Sequence, residues 1–124
     1  MTIFALSTGI GASGVAIIRI SGPETGLLIK KLTNKAIPKP REATLLELNN
    51  INNSRPIDEG IVLWFPGPKS YTGEDMAELH VHGSKAVVKE LQETLLSTKK
   101  CRMAEPGEFT KLAFLNGKIS LLQA

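Results

Sequence analysis

Three ionisable side chains recur at every second position of the stretch 76–82. Glu78, His80 and His82 would share one face of a β-strand there, because successive side chains of a strand point to opposite faces. Two imidazoles and a carboxylate at this spacing could hold a metal ion. The sequence contains no other histidine, so we expect hydrogen-bonded histidines instead. The Glu78 carboxylate could also accept two parallel hydrogen bonds from a guanidine-like heterocycle edge, as it would from arginine.

A single arginine, Arg19, interrupts the apolar stretch 15–20. If this stretch is a strand, Val15, Ile17 and Arg19 lie on one face and only apolar side chains lie on the other. Because both faces are largely apolar, we predict a central strand with Arg19 near buried surface. A buried guanidinium without a partner is costly. Arg19 should therefore pair with a carboxylate, bind an anion or reach water, and a structural ion pair and a ligand contact are equally compatible with the sequence.

The segment 105–118 predicts a short helix that ends in a turn. Pro106 suits the first helical turn, where its missing N–H is not needed. The pair Asn116-Gly117 is a signal for the end of a helix. The turn at this end would present Lys118.

A second helix start follows immediately. Ser120 and Gln123 have the spacing of a capping box. We therefore expect a helix to begin within 119–124 and to continue into a further part of a longer protein.

Signatures of other chemistries are missing from the sequence. The glycine-rich loop Thr8–Gly14 lacks the dinucleotide-binding spacing, and no P-loop motif occurs anywhere. We interpret this loop as a tight connection between strands. No local signature supports a serine or cysteine nucleophile, and Cys101 is expected to be a small buried side chain. The sequence thus indicates a binding module rather than a complete enzyme.

The composition is that of one ordinary globular domain. The chain has 124 residues, of which 42% are hydrophobic and 22% are charged. No apolar run reaches the ~18 residues of a membrane-spanning helix. The single cysteine excludes an internal disulfide and fits a reducing compartment. We therefore expect a cytoplasmic protein without a membrane segment.

Hydrophobic patterns predict an irregular alternation of strands and helices. The strand patterns cover 3–7, 15–21, 43–48, 59–65, 76–82 and, as a short edge strand, 102–104. Helical patterns cover about 24–32, 84–96 and the segment after Pro106. Adjacent strands favour an α+β fold with a mixed or antiparallel sheet. We expect a mixed sheet of about five strands, with about three helices packed on it.

Several motifs, taken in order, resemble one family. They are VAIIRISGP at 15–23, YTGED at 71–75 followed by Glu78 and His82-Gly83, and PGEFT and AFLNGK within 106–118, with IDEG at 57–60 and FPGP at 65–68. Nearly the whole chain resembles the N-terminal domain of the MnmE (TrmE) family of tRNA modification GTPases. The chain departs from the family pattern at Leu112, where arginine is usual, and at Ser84, where glycine is usual.

The resemblance implies a domain that binds a tetrahydrofolate derivative, either 5-formyl- or 5,10-methylene-tetrahydrofolate, and that forms homodimers. It implies a fold similar to the folate-binding domain of aminomethyltransferases. It maps the folate contacts onto Arg19, Glu78 and Lys118. It assigns residues 1–118 to this domain and 119–124 to the helix that leads into a helical and GTPase part.

For the full-length family protein, the resemblance implies that it acts on tRNA in a heterotetramer with a flavoprotein partner, MnmG (GidA). Together they would add a (carboxymethyl)aminomethyl group at carbon 5 of the wobble uridine. GTP, K⁺ and Mg²⁺ belong to the GTPase part. We do not expect this chain to bind them or to be catalytic alone.

A second hypothesis is a purely structural dimerisation domain, in which Arg19, Glu78 and Lys118 form buried ion pairs. A standalone aminomethyl-transfer enzyme is weaker, because the chain lacks the second domain that such enzymes use. Geometry separates the first two hypotheses. A ligand site leaves Arg19 and Glu78 lining an open cavity, whereas a structural pair has them in contact and closed to solvent.

Overall fold

A single six-stranded sheet organises the chain. The computed structural model describes residues 1–7 and 14–119. Its elements are β1 (Thr2–Leu6), β2 (Val15–Ser21), α1 (Thr25–Thr33), β3 (Thr44–Asn49), β4 (Pro56–Phe65), β5 (Met76–His82), α2 (Lys85–Ser97), β6 (Cys101–Met103) and α3 (Glu108–Leu115). The strand order is β3-β4-β5-β2-β1-β6.

The sheet is mixed, as predicted. Strand β1 pairs in parallel with β6, and the other neighbouring strands pair antiparallel. The α+β class is therefore confirmed, with six strands in place of about five. The predicted loop up to position 13 and the helix start at Ser120 lie outside the described residues.

The main core lies between one face of the sheet and helices α1 and α2. Alternate residues of the central strands, such as Ile18 on β2 and Leu79 on β5, are fully buried against Leu28 of α1 and Leu91 of α2. Burying each such side chain stabilises the fold by about 1.5–3 kcal/mol. Cys101 is also part of this cluster, as predicted, and its burial raises the pKa of its thiol.

The opposite face of the sheet is partly open to solvent. It carries Arg19 of β2 and Glu78, His80 and His82 of β5, as the strand periodicity predicted. Strand β2 is central and Arg19 is half-buried, as predicted, although the start of the strand is open on this face, since Val15 is 46% exposed. The reason is that helices α1 and α2 both pack on the other face.

Two helix starts differ in how well the sequence predicted them. Ser84 is the N-cap of α2, and its hydroxyl accepts a hydrogen bond from the Val87 N–H at 3.0 Å. Pro106 was expected in the first turn of α3, but it lies outside this helix. Gly107 with φ +74° is the N-cap, so the helix begins at Glu108. None of the three helices in the described ranges has the length and apolar character to cross a membrane.

Candidate ligand-binding site

An ion pair across two central strands forms the centre of the site. Arg19 of β2 and Glu78 of β5 are register partners in the antiparallel pairing. The Nε of Arg19 lies 3.1 Å from Oε2 of Glu78. Directly opposed side chains in a sheet are held close by the backbone ladder. Of the partners that the sequence left open for Arg19, the structure therefore shows the carboxylate.

The second oxygen of the same carboxylate faces a histidine. Oε1 of Glu78 lies 2.9 Å from Nε2 of His80. The Glu78 side chain is 18% exposed and that of His80 is 28% exposed. Each carboxylate oxygen has two lone pairs, so one protein partner per oxygen leaves further acceptor capacity on both.

The other histidine is held by a different carboxylate. Asp58 accepts a hydrogen bond from the backbone N–H of His82, and its Oδ1 lies 2.8 Å from Nδ1 of the ring. Burial alone would raise the pKa of Asp58, but these bonds and a further one from the backbone of Glu59 outweigh burial and lower the pKa. Both histidines are thus hydrogen-bonded, as predicted. In the described ranges, no group of three or more histidine, cysteine or acidic side chains could hold a metal ion.

Arg19 lies at the border of two cavities. The smaller cavity, of about 410 Å³, is lined by Arg19, Phe65, Tyr71, Met76 and Glu78. The larger cavity, of about 580 Å³, includes Arg19 and the first turn of α3 in its lining. Both volumes are in the range of small-molecule sites. The ion pair thus forms part of a wall that a ligand could reach.

The geometry meets one criterion of each hypothesis. Arg19 and Glu78 are in direct contact, as a structural pair requires, but they also line a cavity, as a ligand site requires. The Arg19 side chain is 40% exposed. Ion pairs with this much exposure contribute only about 0–1 kcal/mol. The contact uses only Nε of Arg19, so the terminal N–H groups of this side chain can face a ligand while the pair stays intact.

The loop between β4 and β5 connects the site to helix α3. The Nδ2 group of Asn116 donates to the Thr72 carbonyl at 2.7 Å, and the hydroxyls of Tyr71 and Thr110 are 3.3 Å apart. The Thr72 hydroxyl lies 2.8 Å from that of Ser21 at the end of β2. These bonds fix the loop, and with it the Tyr71 wall of the smaller cavity, between β2 and α3.

Lys118 directly follows the turn that ends α3. Gly117 has φ +73°, its N–H donates to the Phe114 carbonyl, and the Lys118 N–H donates to the Ala113 carbonyl at 2.8 Å. This pair of bonds is a Schellman motif. The predicted helix end is therefore confirmed, and it fixes the backbone of Lys118.

The side chain of Lys118 lies beside the same loop, but apart from the ion pair. It is exposed, and its Cγ lies 3.6 Å from the point where a Cβ on Gly73 would be. Within the described residues, no hydrogen bond or ion pair joins it to Arg19 or Glu78. The structure thus brings two of the three predicted residues into contact, and the role of Lys118 stays a prediction.

Sequence reasoning missed a second ion pair next to the larger cavity. The Arg102 guanidinium donates to both oxygens of Glu108, with Nη1 2.8 Å from Oε1. This contact is the main cause that lowers the pKa of Glu108 to about 2. The pair ties β6 to the start of α3. Its two residues belong to different elements, and no periodic pattern relates them.

Comparison with known proteins decides the family. Residues 2–118 match the family described as the N-terminus of the GTP-binding protein TrmE. The chain belongs to this family. The family resemblance that the sequence motifs indicated is therefore confirmed, and the chain is a TrmE N-terminal domain.

Curated relatives agree with this assignment. The tRNA modification GTPase MnmE of Pelagibacter ubique is 64% identical over 124 residues, which are 100% of this chain and 28% of the relative. The MnmE of Beijerinckia indica is 52% identical over 98% of the chain and 27% of the relative. A mitochondrial 5-taurinomethyluridine tRNA synthase subunit of Danio rerio is 46% identical over 98% and 24%, respectively. The chain thus spans about a quarter of the length of these relatives.

Proposed function

We propose that this TrmE N-terminal domain binds a tetrahydrofolate derivative, 5-formyl- or 5,10-methylene-tetrahydrofolate, at Arg19, Glu78 and Lys118. The observation that best supports the proposal is the Glu78 carboxylate at the wall of the smaller cavity. Both of its oxygens keep acceptor capacity after their contacts with Arg19 and His80.

The chemistry of Glu78, Arg19 and Lys118 fits a tetrahydrofolate derivative. The edge of a pterin presents parallel N–H donors, which a carboxylate can accept in a fork. The tail of a folate carries carboxylates, for which a guanidinium and an ammonium are suitable partners. Arg19 uses only its Nε–H toward Glu78, and in the described part of the chain its terminal N–H groups make no other hydrogen bond.

The proposal extends to the longer protein of which such domains are part. There the domain would bind the one-carbon carrier and form the homodimer, with residues 1–118 as the domain and 119–124 leading toward the helical and GTPase part. With a flavoprotein partner, MnmG, the protein would modify carbon 5 of the wobble uridine of tRNA in the cytoplasm. GTP, K⁺ and Mg²⁺ would bind outside this chain. Support comes from the family match and from the names of the relatives.

The direct contact between Arg19 and Glu78 favours a second candidate. In it the domain is purely a structural dimerisation module without a ligand. The two candidates differ in whether these side chains also bind a ligand while they keep this contact.

Calorimetric titration with 5-formyltetrahydrofolate tests the proposal. The wild-type domain should bind saturably, and Arg19→Ala should weaken binding at least about tenfold, since hydrogen bonds to charged groups are worth ~1.5–3 kcal/mol. The matched control is Arg55→Ala, because Arg55 is exposed and lies in the turn before β4. Thermal melts would verify that all three proteins fold. If neither the folded domain nor the full-length protein binds folate, the structural candidate is favoured.

A further inference from the structure

We infer that His80 is a positioning residue, which orients the Glu78 carboxylate toward the smaller cavity. The two side chains lie on the same face of β5, two residues apart, with Nε2 of His80 2.9 Å from Oε1 of Glu78. The ligand in this inference rests on the proposed function. The orientation of Glu78 rests on the geometry alone.

The contact determines which nitrogen of His80 carries the proton. An ionised carboxylate can only accept hydrogen bonds, so the neutral ring must donate from Nε2. For His82 the opposite holds, because its Nδ1 faces Asp58. The two histidines of the sequence are therefore expected to be opposite tautomers.

The contact with His80 also restricts a rotation of the Glu78 carboxylate that Arg19 alone would allow. The last torsion of a glutamate side chain is broad, so a carboxylate held at one oxygen can still rotate. In this protein Arg19 holds Oε2 and His80 holds Oε1. Two partners on different oxygens fix the carboxylate plane. A ligand with two parallel N–H donors requires such a fixed plane for both bonds.

His80 acts on Glu78 from outside the smaller cavity. His80 lines a third cavity, of about 390 Å³, which is separate from the two cavities beside Arg19 and also includes Glu59 of β4 and His82. The smaller cavity has Glu78, but not His80, in its lining. Among the residues that the structure describes, the charged or titratable groups that contact His80 or share this cavity are Glu78 and His82 on β5, Glu59 on β4 and, through Glu78, Arg19 on β2. Its cross-strand partners, Ile17 and Ile61, are apolar.

Substitutions at the two histidines separate positioning from simple structural support. His80→Leu removes the donor and should weaken binding of 5-formyltetrahydrofolate about tenfold. His80→Gln keeps an N–H donor and should restore the affinity to within about threefold. His82→Leu is the matched control on the same strand face and should leave the affinity unchanged. Wild-type affinity in His80→Leu, or failure of His80→Gln to restore binding at an equal melting temperature, would overturn the inference.

A second measurement does not depend on the ligand. In buffer at about pH 8.5, about two units above the ordinary pKa of histidine, nitrogen-15 NMR of the two imidazoles should show a single Nε2–H tautomer for His80, with a detectable hydrogen-bonded proton, and an Nδ1–H tautomer for His82. Glu78→Leu should abolish the His80 proton signal and leave that of His82 intact. Rapid tautomer exchange at His80 in the wild type would refute the inference. A fixed Nε2–H in a protein that binds no folate would refute the proposed function and still support the positioning of Glu78.

Discussion

Arg19 and Glu78 face each other across the β2–β5 pairing, with Nε of the arginine 3.1 Å from Oε2 of the glutamate. Their contact is therefore set by the register of two central strands and not by a loop. A slip of one residue would send one of the side chains to the other face of the sheet. Sites built on strands are held more rigidly than sites on loops, so we expect this pair to keep its geometry before any ligand binds.

Replacing Glu78 with glutamine tests the proposed contact with a pterin. Glu78→Gln keeps the shape of the side chain but removes the charge, so folate binding should weaken by about 1–3 kcal/mol. Calorimetry gives the change directly. Glu47→Gln is the control, since Glu47 is exposed on the edge strand β3. Unchanged affinity in Glu78→Gln would refute the role of Glu78.

Gly22 should be among the least replaceable glycines. Its φ is +138°, and an added Cβ would lie 2.5 Å from the Cα of Thr2. Gly22→Ala combines backbone strain with overpacking, so the free energy of unfolding should fall by about 3 kcal/mol. Gly117→Ala is the matched control, because it has φ +73° but no atom within 4 Å of the new Cβ. It should cost only about 1–2 kcal/mol, and equal losses in urea denaturation would contradict the role of the Thr2 contact.

The N-cap of α2 gives a prediction for Ser84. Ser84→Ala loses the hydrogen bond from Val87 and should destabilise the domain by about 1 kcal/mol. Ser84→Gly should cost only a few tenths of a kcal/mol relative to the wild type. Chemical denaturation of both variants measures the difference. An alanine variant as stable as the wild type would show that the cap contributes nothing.

The Arg102–Glu108 pair should make the free energy of unfolding depend on pH in the acidic range. The pKa of Glu108 is lowered from 4.5 to about 2. A carboxyl whose pKa is lower in the folded state stabilises the fold above its unfolded pKa and loses this contribution as pH falls through the folded value. The difference in unfolding free energy between wild type and Glu108→Gln should therefore shrink from pH 5 toward pH 2. Urea denaturation at several pH values measures it, and a constant difference would contradict the lowered pKa.

The central strands were predictable because their local pattern is strong. Strand β2 has the predicted bounds Val15–Ser21, and β5 has the predicted bounds Met76–His82. By contrast, β4 begins at Pro56 and not at Glu59, because the pairing with β3 extends to Asn49. That extension comes from tertiary pairing, which local propensity does not contain.

The faces of the site could be predicted, but its contacts could not. Alternation along each strand places Arg19 on one face of β2 and Glu78 with His80 on one face of β5. The register that joins Arg19 to Glu78 relates residues 59 positions apart, so a single sequence does not determine it. The position of Lys118 depends in addition on where α3 contacts the Thr72 carbonyl through Asn116.

The parallel pairing of β1 with β6 has a consequence for biosynthesis. Residues 2–4 pair with residues 101–103, which the ribosome adds almost a hundred positions later. Until then, one edge of β1 has no partner from its own sheet, and unpaired strand edges can pair with other chains. A nascent chain of this domain therefore remains open to mispairing until nearly all of the domain has been synthesised.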